Sequence, residues 1–121
     1  MSKCILLVED QEDNRQILRD LLASAGYDMA EAENGQEALA AVAQHKPDLI
    51  LMDIQLPVID GYEATRRIKA DPATRHIPIV AVTSYALAGD EAKTRDAGCD
   101  GYIAKPYNPR DLLQKVREFL A

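Results

Sequence analysis

A chain of 121 residues with 47% hydrophobic and 28% charged residues has the size and composition of one globular domain, 1–121, which buries roughly two-thirds of its unfolded surface. A formal net charge of -6, with the 14 Lys and Arg scattered, opposes attraction to phosphate backbones and excludes nucleic acid as a direct partner. The apolar stretches are too short to span a membrane and no signal peptide opens the chain, so no membrane association and a cytoplasmic location are expected.

In chain order, Cys4 to Val8 reads as a buried strand, and 14–25 carries Ile17, Leu18, Leu21, Leu22 and Ala25 at helical spacing before Gly26 stops it. A short strand over 27–32 follows. Asn34-Gly35 then turns the chain into a second helix with Ala38, Leu39 and Val42 on one face, and Pro47 separates it from a third strand, Leu49 to Asp53. The loop from Leu56 to Gly61 leads to a helix over 62–70, with Ala64 and Ile68 inward and Arg66, Arg67 and Lys69 in water. Ile77 to Thr83 is the fourth strand. A helix over 87–97 has mainly alanines to bury and is expected to dock least firmly. Tyr102 to Ala104 is a fifth strand, and Pro109 opens a last helix with Leu112, Leu113, Val116, Phe119 and Leu120 as its stripe. Five strand-then-helix units predict an α/β fold, a parallel sheet with helices on both faces. Cys4 and Cys99 match neither zinc nor redox spacing and are expected as reduced thiols.

Parallel strands deliver their C-terminal residues to one sheet edge, where open α/β folds place their ligands. Glu9 and Asp10 end the first strand, Asp53 the third, Thr83 the fourth and Lys105 the fifth. Crowded carboxylates repel one another unless a cation neutralises them, and an oxygen-only set suits Mg2+ rather than zinc. Lys105 can pair with Asp53 and then with an added anion, to which Thr83 can also donate. Together these groups suit phosphoryl transfer with Asp53 as nucleophile. Taken singly, a strand-end Asp is a turn former and Glu9-Asp10 or Glu12-Asp13 complement a helix N-terminus. The convergence is what carries the chemistry. His45 and His76 have no paired acid and are expected at the surface.

Val8-Glu9-Asp10, Leu51-Met52-Asp53-Ile54-Gln55-Leu56-Pro57, Asp60-Gly61, Val82-Thr83-Ser84 and Tyr102-Ile103-Ala104-Lys105-Pro106 closely resemble the receiver domain of two-component response regulators, the CheY-like superfamily, from about Lys3 to the last helix. The resemblance implies a doubly wound sheet in the flavodoxin-like order 2-1-3-4-5. It makes Asp53 the phosphoacceptor and puts Mg2+ between Asp10, Asp53 and the backbone carbonyl of Gln55, with Glu9 joining through water. It gives Thr83 and Lys105 the phosphoryl oxygens to bind, makes Tyr102 the aromatic that swings inward on activation, and implies a cis Lys105-Pro106 bond. Within the family the wording is most similar to the single-domain DivK type, and receiver modules of hybrid kinases share much of it.

The function so implied is a phosphorylation-driven switch rather than an enzyme with turnover. A histidine kinase or histidine phosphotransfer protein supplies the phosphoryl group, docking on the loops around Asp53 and the start of the first helix, including Gln11 and Asn14, with Pro106-Tyr107 nearby. The face of the fourth helix, fifth strand and fifth helix then controls a downstream protein target. A monomer or weak dimer is the expected state, and Met1 favours a free-standing protein over a module of a hybrid kinase or phosphorelay intermediate. Glu9 stands where many members have Asp, which changes the reach to the metal waters. Gln55 and Tyr85 flank the path of the hydrolytic water and are expected to set the phosphoryl lifetime, with Tyr85 slowing loss. Gln55 also stands where phosphatases resembling a DxDxT pattern carry their general acid, and no GxxxxGK loop follows the first strand, which disfavours an aspartyl phosphatase and a nucleotide-binding domain.

Overall fold

In the computed structural model, residues 3–54, 56, 58–83, 90–105 and 107–120 are described. Strands β1 (Cys4–Val8), β2 (Asp28–Ala32), β3 (Leu49–Asp53), β4 (Ile79–Thr83) and β5 (Gly101–Ala104) alternate with helices α1 (Glu12–Ser24), α2 (Gly35–His45), α3 (Gly61–Ala70), α4 (Asp90–Ala97) and α5 (Pro109–Leu120). All neighbouring strands are parallel, in the order β2-β1-β3-β4-β5. β3 and β4 are buried along their whole length, because helices cover both faces, and this is why they read as unbroken apolar runs. β2, on an edge, is Asp-Met-Ala-Glu-Ala and only its last residue is buried.

Side-chain alternation divides the core into two layers. Ile5, Leu7, Leu49, Leu51, Val80, Val82 and Ile103 meet Leu18 and Leu22 of α1 and Leu112 and Val116 of α5. Leu6, Val8, Ile50, Met52 and Ile79 meet Ala38 and Val42 of α2 and Ala64 and Ile68 of α3. In sequence parity Glu9, Asp53 and Lys105 continue the first set, whereas Thr83 and Tyr102 belong to the second.

Several element ends differ from the sequence-based expectation. α1 starts at Glu12 rather than residue 14, since the Arg15 N–H already bonds the Gln11 carbonyl (3.0 Å) and Glu12 and Asp13 form the first turn. Ala25 is its exposed C-cap. β4 starts at Ile79, because the Ile77 N–H closes a turn on Thr74 and Pro78 has no N–H to give. β2 begins at Asp28, α3 at Gly61 and β5 at Gly101, each one residue from expectation. The expected start of α4 at Leu87 lies outside the described residues. Asn34, read in the sequence as part of the turn into the second helix, also caps α2, accepting from the Glu37 N–H at 2.8 Å.

Lys69 departs from its expected place in water. Its ammonium donates to the Arg75 and Ile77 carbonyls and to Asp100 Oδ2 (2.8 Å), tying α3 to the turns before β4 and β5. Cys4 is half-buried rather than buried, as is Cys99, and both are free thiols. Burial pushes each thiol above its ordinary value, with Asp48 and Asp28 adding to the effect at Cys4. His45 and His76 are exposed, as expected.

Candidate functional site

β1 and β3 are adjacent although β2 lies between them in sequence, so the chain reverses its winding at this pair and leaves a crevice at their C-terminal ends. The register Val8↔Met52 sets Glu9 beside Asp53. One ligand atom from each of Glu9, Asp10 and Asp53 lies within 4.8 Å of the others. Glu9 and Asp53 are 3% and 5% exposed, whereas Asp10 faces solvent. Two acids are therefore already desolvated and the third opens the cluster to water.

Lys105 supplies the cation that holds these acids together. The Lys105 N–H donates to the Thr83 carbonyl at 2.7 Å, and its ammonium reaches Glu9 Oε2 at 3.1 Å and Asp53 Oδ2 at 3.3 Å. The other Glu9 oxygen, Oε1, accepts from the Gln11 N–H (3.2 Å) and the Asn14 amide (3.5 Å). Burial works to lower the Lys105 pKa, but Asp53 and Glu9 outweigh it and hold the ammonium above its ordinary value. Burial first, then the hydrogen bond and negative charge of Asp53, raise the Glu9 carboxyl above its ordinary value against the pull of Lys105.

The raised Glu9 value fixes the sign of a pH effect. The folded state binds a proton at Glu9 more readily than the unfolded chain does, so the stability contributed by this group is present at low pH and lost as pH rises through the raised value. With a chelator present, the share of Tm that depends on Glu9 should climb as pH falls through the raised value. Glu9→Gln should flatten that climb and melt above the parent at neutral pH by about 3 °C, from relief of roughly 1 kcal/mol. Thermal unfolding across the pH series checks both, and a Glu9→Gln protein melting below the parent at neutral pH would contradict the assignment.

Three buried or solvent-facing carboxylates without sulfur or imidazole match a hard cation that keeps several waters, so the donor set fits Mg2+ and not zinc. Thr83 is 1% exposed at the end of β4, opposite Ala104. Tyr102 is half-buried and lines a shallow concavity of about 290 Å3 with Thr94, Arg95, Cys99 and Lys115. Gln55, Tyr85 and Pro106 lie outside the described residues.

The sequence reading missed two features. An open, largely apolar groove of about 530 Å3 runs from Glu9 and Lys105 past Asn14 to Ile17, Leu18 and Tyr107, and Ile17 is 59% exposed. Glu9 and Lys105 were anticipated in the acid site and Asn14 and Tyr107 near the docking region, whereas Ile17 was counted with the helix's apolar spacing. The second is Arg15, 5% exposed, whose guanidinium donates to the Glu9 backbone carbonyl at 2.8 Å. Its signal was present: Arg15, Leu18 and Leu22 are i, i+3 and i+7, a cation on the stripe that packs inward.

The sequence pattern of the family described as Response regulator receiver domain matches residues 5–117. The polar-differentiation response regulator DivK of Brucella anthropi is 44% identical over 120 residues, 99% of this chain and 98% of that protein, and DivK of Brucella ovis is 43% identical over the same length. Among solved structures, the receiver domain of a Pseudomonas aeruginosa PAO1 sensor histidine kinase, with magnesium coordinated in its active-site cleft, superposes with a TM-score of 0.92 at 38% identity, covering 99% of this chain and 98% of that one. Chemotaxis response regulator CheY4 of Vibrio cholerae gives 0.92 at 28% identity, covering 98% and 99%. No helix among the described residues is long and apolar enough to cross a membrane. On its matched pattern, its relatives and its sheet order, the chain belongs to the response regulator receiver domain family, as a DivK-like member.

Proposed function

We propose that Asp53 is the phosphoacceptor and that its phosphorylation by a partner phosphohistidine switches the surface formed by α4, β5 and α5. The observation that carries this reading is Lys105, whose ammonium bridges Glu9 and Asp53 at adjacent strand ends. A buried acid pair bridged by a lysine ammonium suits exchange of that ammonium between anions. An Asp53 oxygen attacks the phosphorus in line, the P–N bond breaks, and its electron pair returns to the donor imidazole. The phosphoryl group remains on Asp53 as an acyl phosphate.

Asp10 and Asp53 would hold Mg2+, with Glu9 joining through water and the Gln55 carbonyl added by the family resemblance, and the ion when bound neutralises charge on the transferring group. Lys105 then follows the negative charge from the Asp53 carboxylate to the phosphoryl oxygens, and the Thr83 hydroxyl donates to another of them. These new bonds exist only in the phosphorylated state, so they supply the free-energy difference that shifts the conformational equilibrium. Tyr102 shares the sheet face of Thr83 and is the side chain through which the shift reaches the surface. The groove beside Glu9 and Lys105, with exposed Ile17, suits an apolar helix of a histidine kinase or phosphotransfer protein. The chain acts as a cytoplasmic single-domain switch without turnover of an external substrate, and the 38% identity to a kinase receiver domain keeps a hybrid-kinase module as the second setting for the same chemistry.

Incubation with acetyl phosphate and Mg2+, followed by intact mass measurement, tests the reading. One added phosphoryl group per chain is expected, and none when a chelator is added before the donor. Unchanged mass in the presence of Mg2+ would remove the phosphoacceptor role.

A further inference from the structure

We propose that Arg15 is a positioning residue for the acidic site, acting on it through the Glu9–Asp10 peptide. Its guanidinium Nη1 donates to the Glu9 carbonyl oxygen at 2.8 Å, and the Glu9 N–H donates to the Ala32 carbonyl at 3.0 Å. The plane of the peptide between the two acids is thus pinned by α1, and the residue before it is pinned by β2. The directions in which Glu9 and Asp10 present their carboxylates follow from those two anchors.

Arg15 is itself held without slack. Nε donates to Glu31 at 3.3 Å, and Nη2 to Glu33 at 3.2 Å and to Glu12. Arg19 braces two of the same acids, bonding both Glu31 oxygens and Glu12. The planar fork of a guanidinium can satisfy a carbonyl and three carboxylates at once, and an ammonium cannot. With Glu9 3% and Arg15 5% exposed, the Glu9 carbonyl that accepts from Arg15 is closed to solvent, so losing the guanidinium leaves a buried acceptor unpaired and the peptide free to rotate. Groups that orient metal ligands from behind typically change metal affinity 10- to 100-fold when removed.

This inference rests on the Mg2+ reading of Glu9, Asp10 and Asp53, and the charge of Arg15 gives it a distinctive sign. Removing a positive charge beside a cation site strengthens cation binding by Coulomb's law alone, whereas loss of a positioning group weakens it. The test is calorimetric titration of the full chain with Mg2+, with thermal unfolding measured alongside. Arg15→Gln should bind Mg2+ about tenfold or more weakly than the parent, against the Coulomb direction. Arg15→Lys, which keeps the charge and loses the fork, should also bind several-fold more weakly. Glu33→Gln, which frees one anchor and leaves the bond to Glu9, should stay within about twofold. If Arg15→Gln does not fold, the contrast between Arg15→Lys and Glu33→Gln decides. Parent-like or tighter Mg2+ binding by the Arg15 variants overturns the positioning role. Absence of saturable Mg2+ binding by the parent overturns the metal site and this role with it.

Discussion

Asp53→Asn should abolish phosphorylation by acetyl phosphate, by at least about 1,000-fold in rate, while raising the melting temperature of the metal-free protein. The first half follows from chemistry: an amide oxygen is a poor nucleophile, and removal of an attacking group is among the costliest single changes an active centre can suffer. The second half follows from charge balance. Glu9 and Asp53, both nearly fully buried, share one ammonium at 3.1 and 3.3 Å, with Asp10 close by. Converting Asp53 to a neutral amide leaves Glu9 and Lys105 paired one to one and removes a buried like-charge contact. Relief of about 1 kcal/mol, or roughly 3 °C, is expected. Intact mass and thermal unfolding read the two halves separately. A variant that still gains the phosphoryl mass would move the acceptor to another residue, and one that loses stability would show that Asp53 is held by bonds worth more than the repulsion.

Gly61→Ala is expected to be the most damaging small substitution near the site. A Cβ at Gly61 would stand 2.4 Å from the Asp53 carbonyl oxygen and 2.6 Å from the Ile54 Cα. These are backbone atoms at the end of a central buried strand and cannot swing aside. The Gly61 N–H also bonds the Ile54 carbonyl at 3.0 Å, so the start of α3 cannot retreat without losing it. Destabilisation of about 3 kcal/mol or more is expected, near 10 °C in Tm. Because the displaced peptide is that of Asp53 itself, phosphorylation of the folded fraction should slow as well. Gly26→Ala is the comparison: no atom lies within 4 Å of its Cβ, but φ is +93°, so only backbone strain of about 1 kcal/mol is expected and phosphorylation should be untouched. Chemical denaturation checks the order, and equal losses at the two glycines would contradict the steric account.

The strands and the Asp53, Lys105 and Glu9-Asp10 positions were legible because each signal is local. β1, β3 and β4 are apolar runs that stop abruptly at a polar residue, and parallel topology gathers those stops without any contact having to be known. α5 was legible from its apolar stripe, of which Leu112 and Val116 are fully buried. The positions of Lys69 and Arg15 were not, because their partners are set by topology. Lys69 meets Asp100, 31 residues away, and Arg15 meets Glu31 and Glu33 only because β2 pairs with β1. The spacing with Leu18 and Leu22 says that Arg15 faces inward, but nothing local says which four acceptors will enclose it. Glu12 is a similar case: read as a complement to the helix dipole, it also binds Arg15 and Arg19, which hold its carboxyl below the usual range.

The alternation that sends Glu9, Asp53 and Lys105 to one side of the sheet and Thr83 and Tyr102 to the other has a consequence for how such a switch diversifies. The groove near Ile17 and Tyr107 opens on the same flank as the acids, and the concavity near Thr94 and Tyr102 opens at the edge of the sheet beside β5, between α4 and α5. In the proposed switch the protein that writes the signal and the protein that reads it therefore touch different walls of one molecule, the crevice at the strand ends and the edge beside β5, and the Lys105 N–H bonded to the Thr83 carbonyl lies between them. Mutational drift on either wall can change one correspondent while leaving the other, and the chemistry between them, intact.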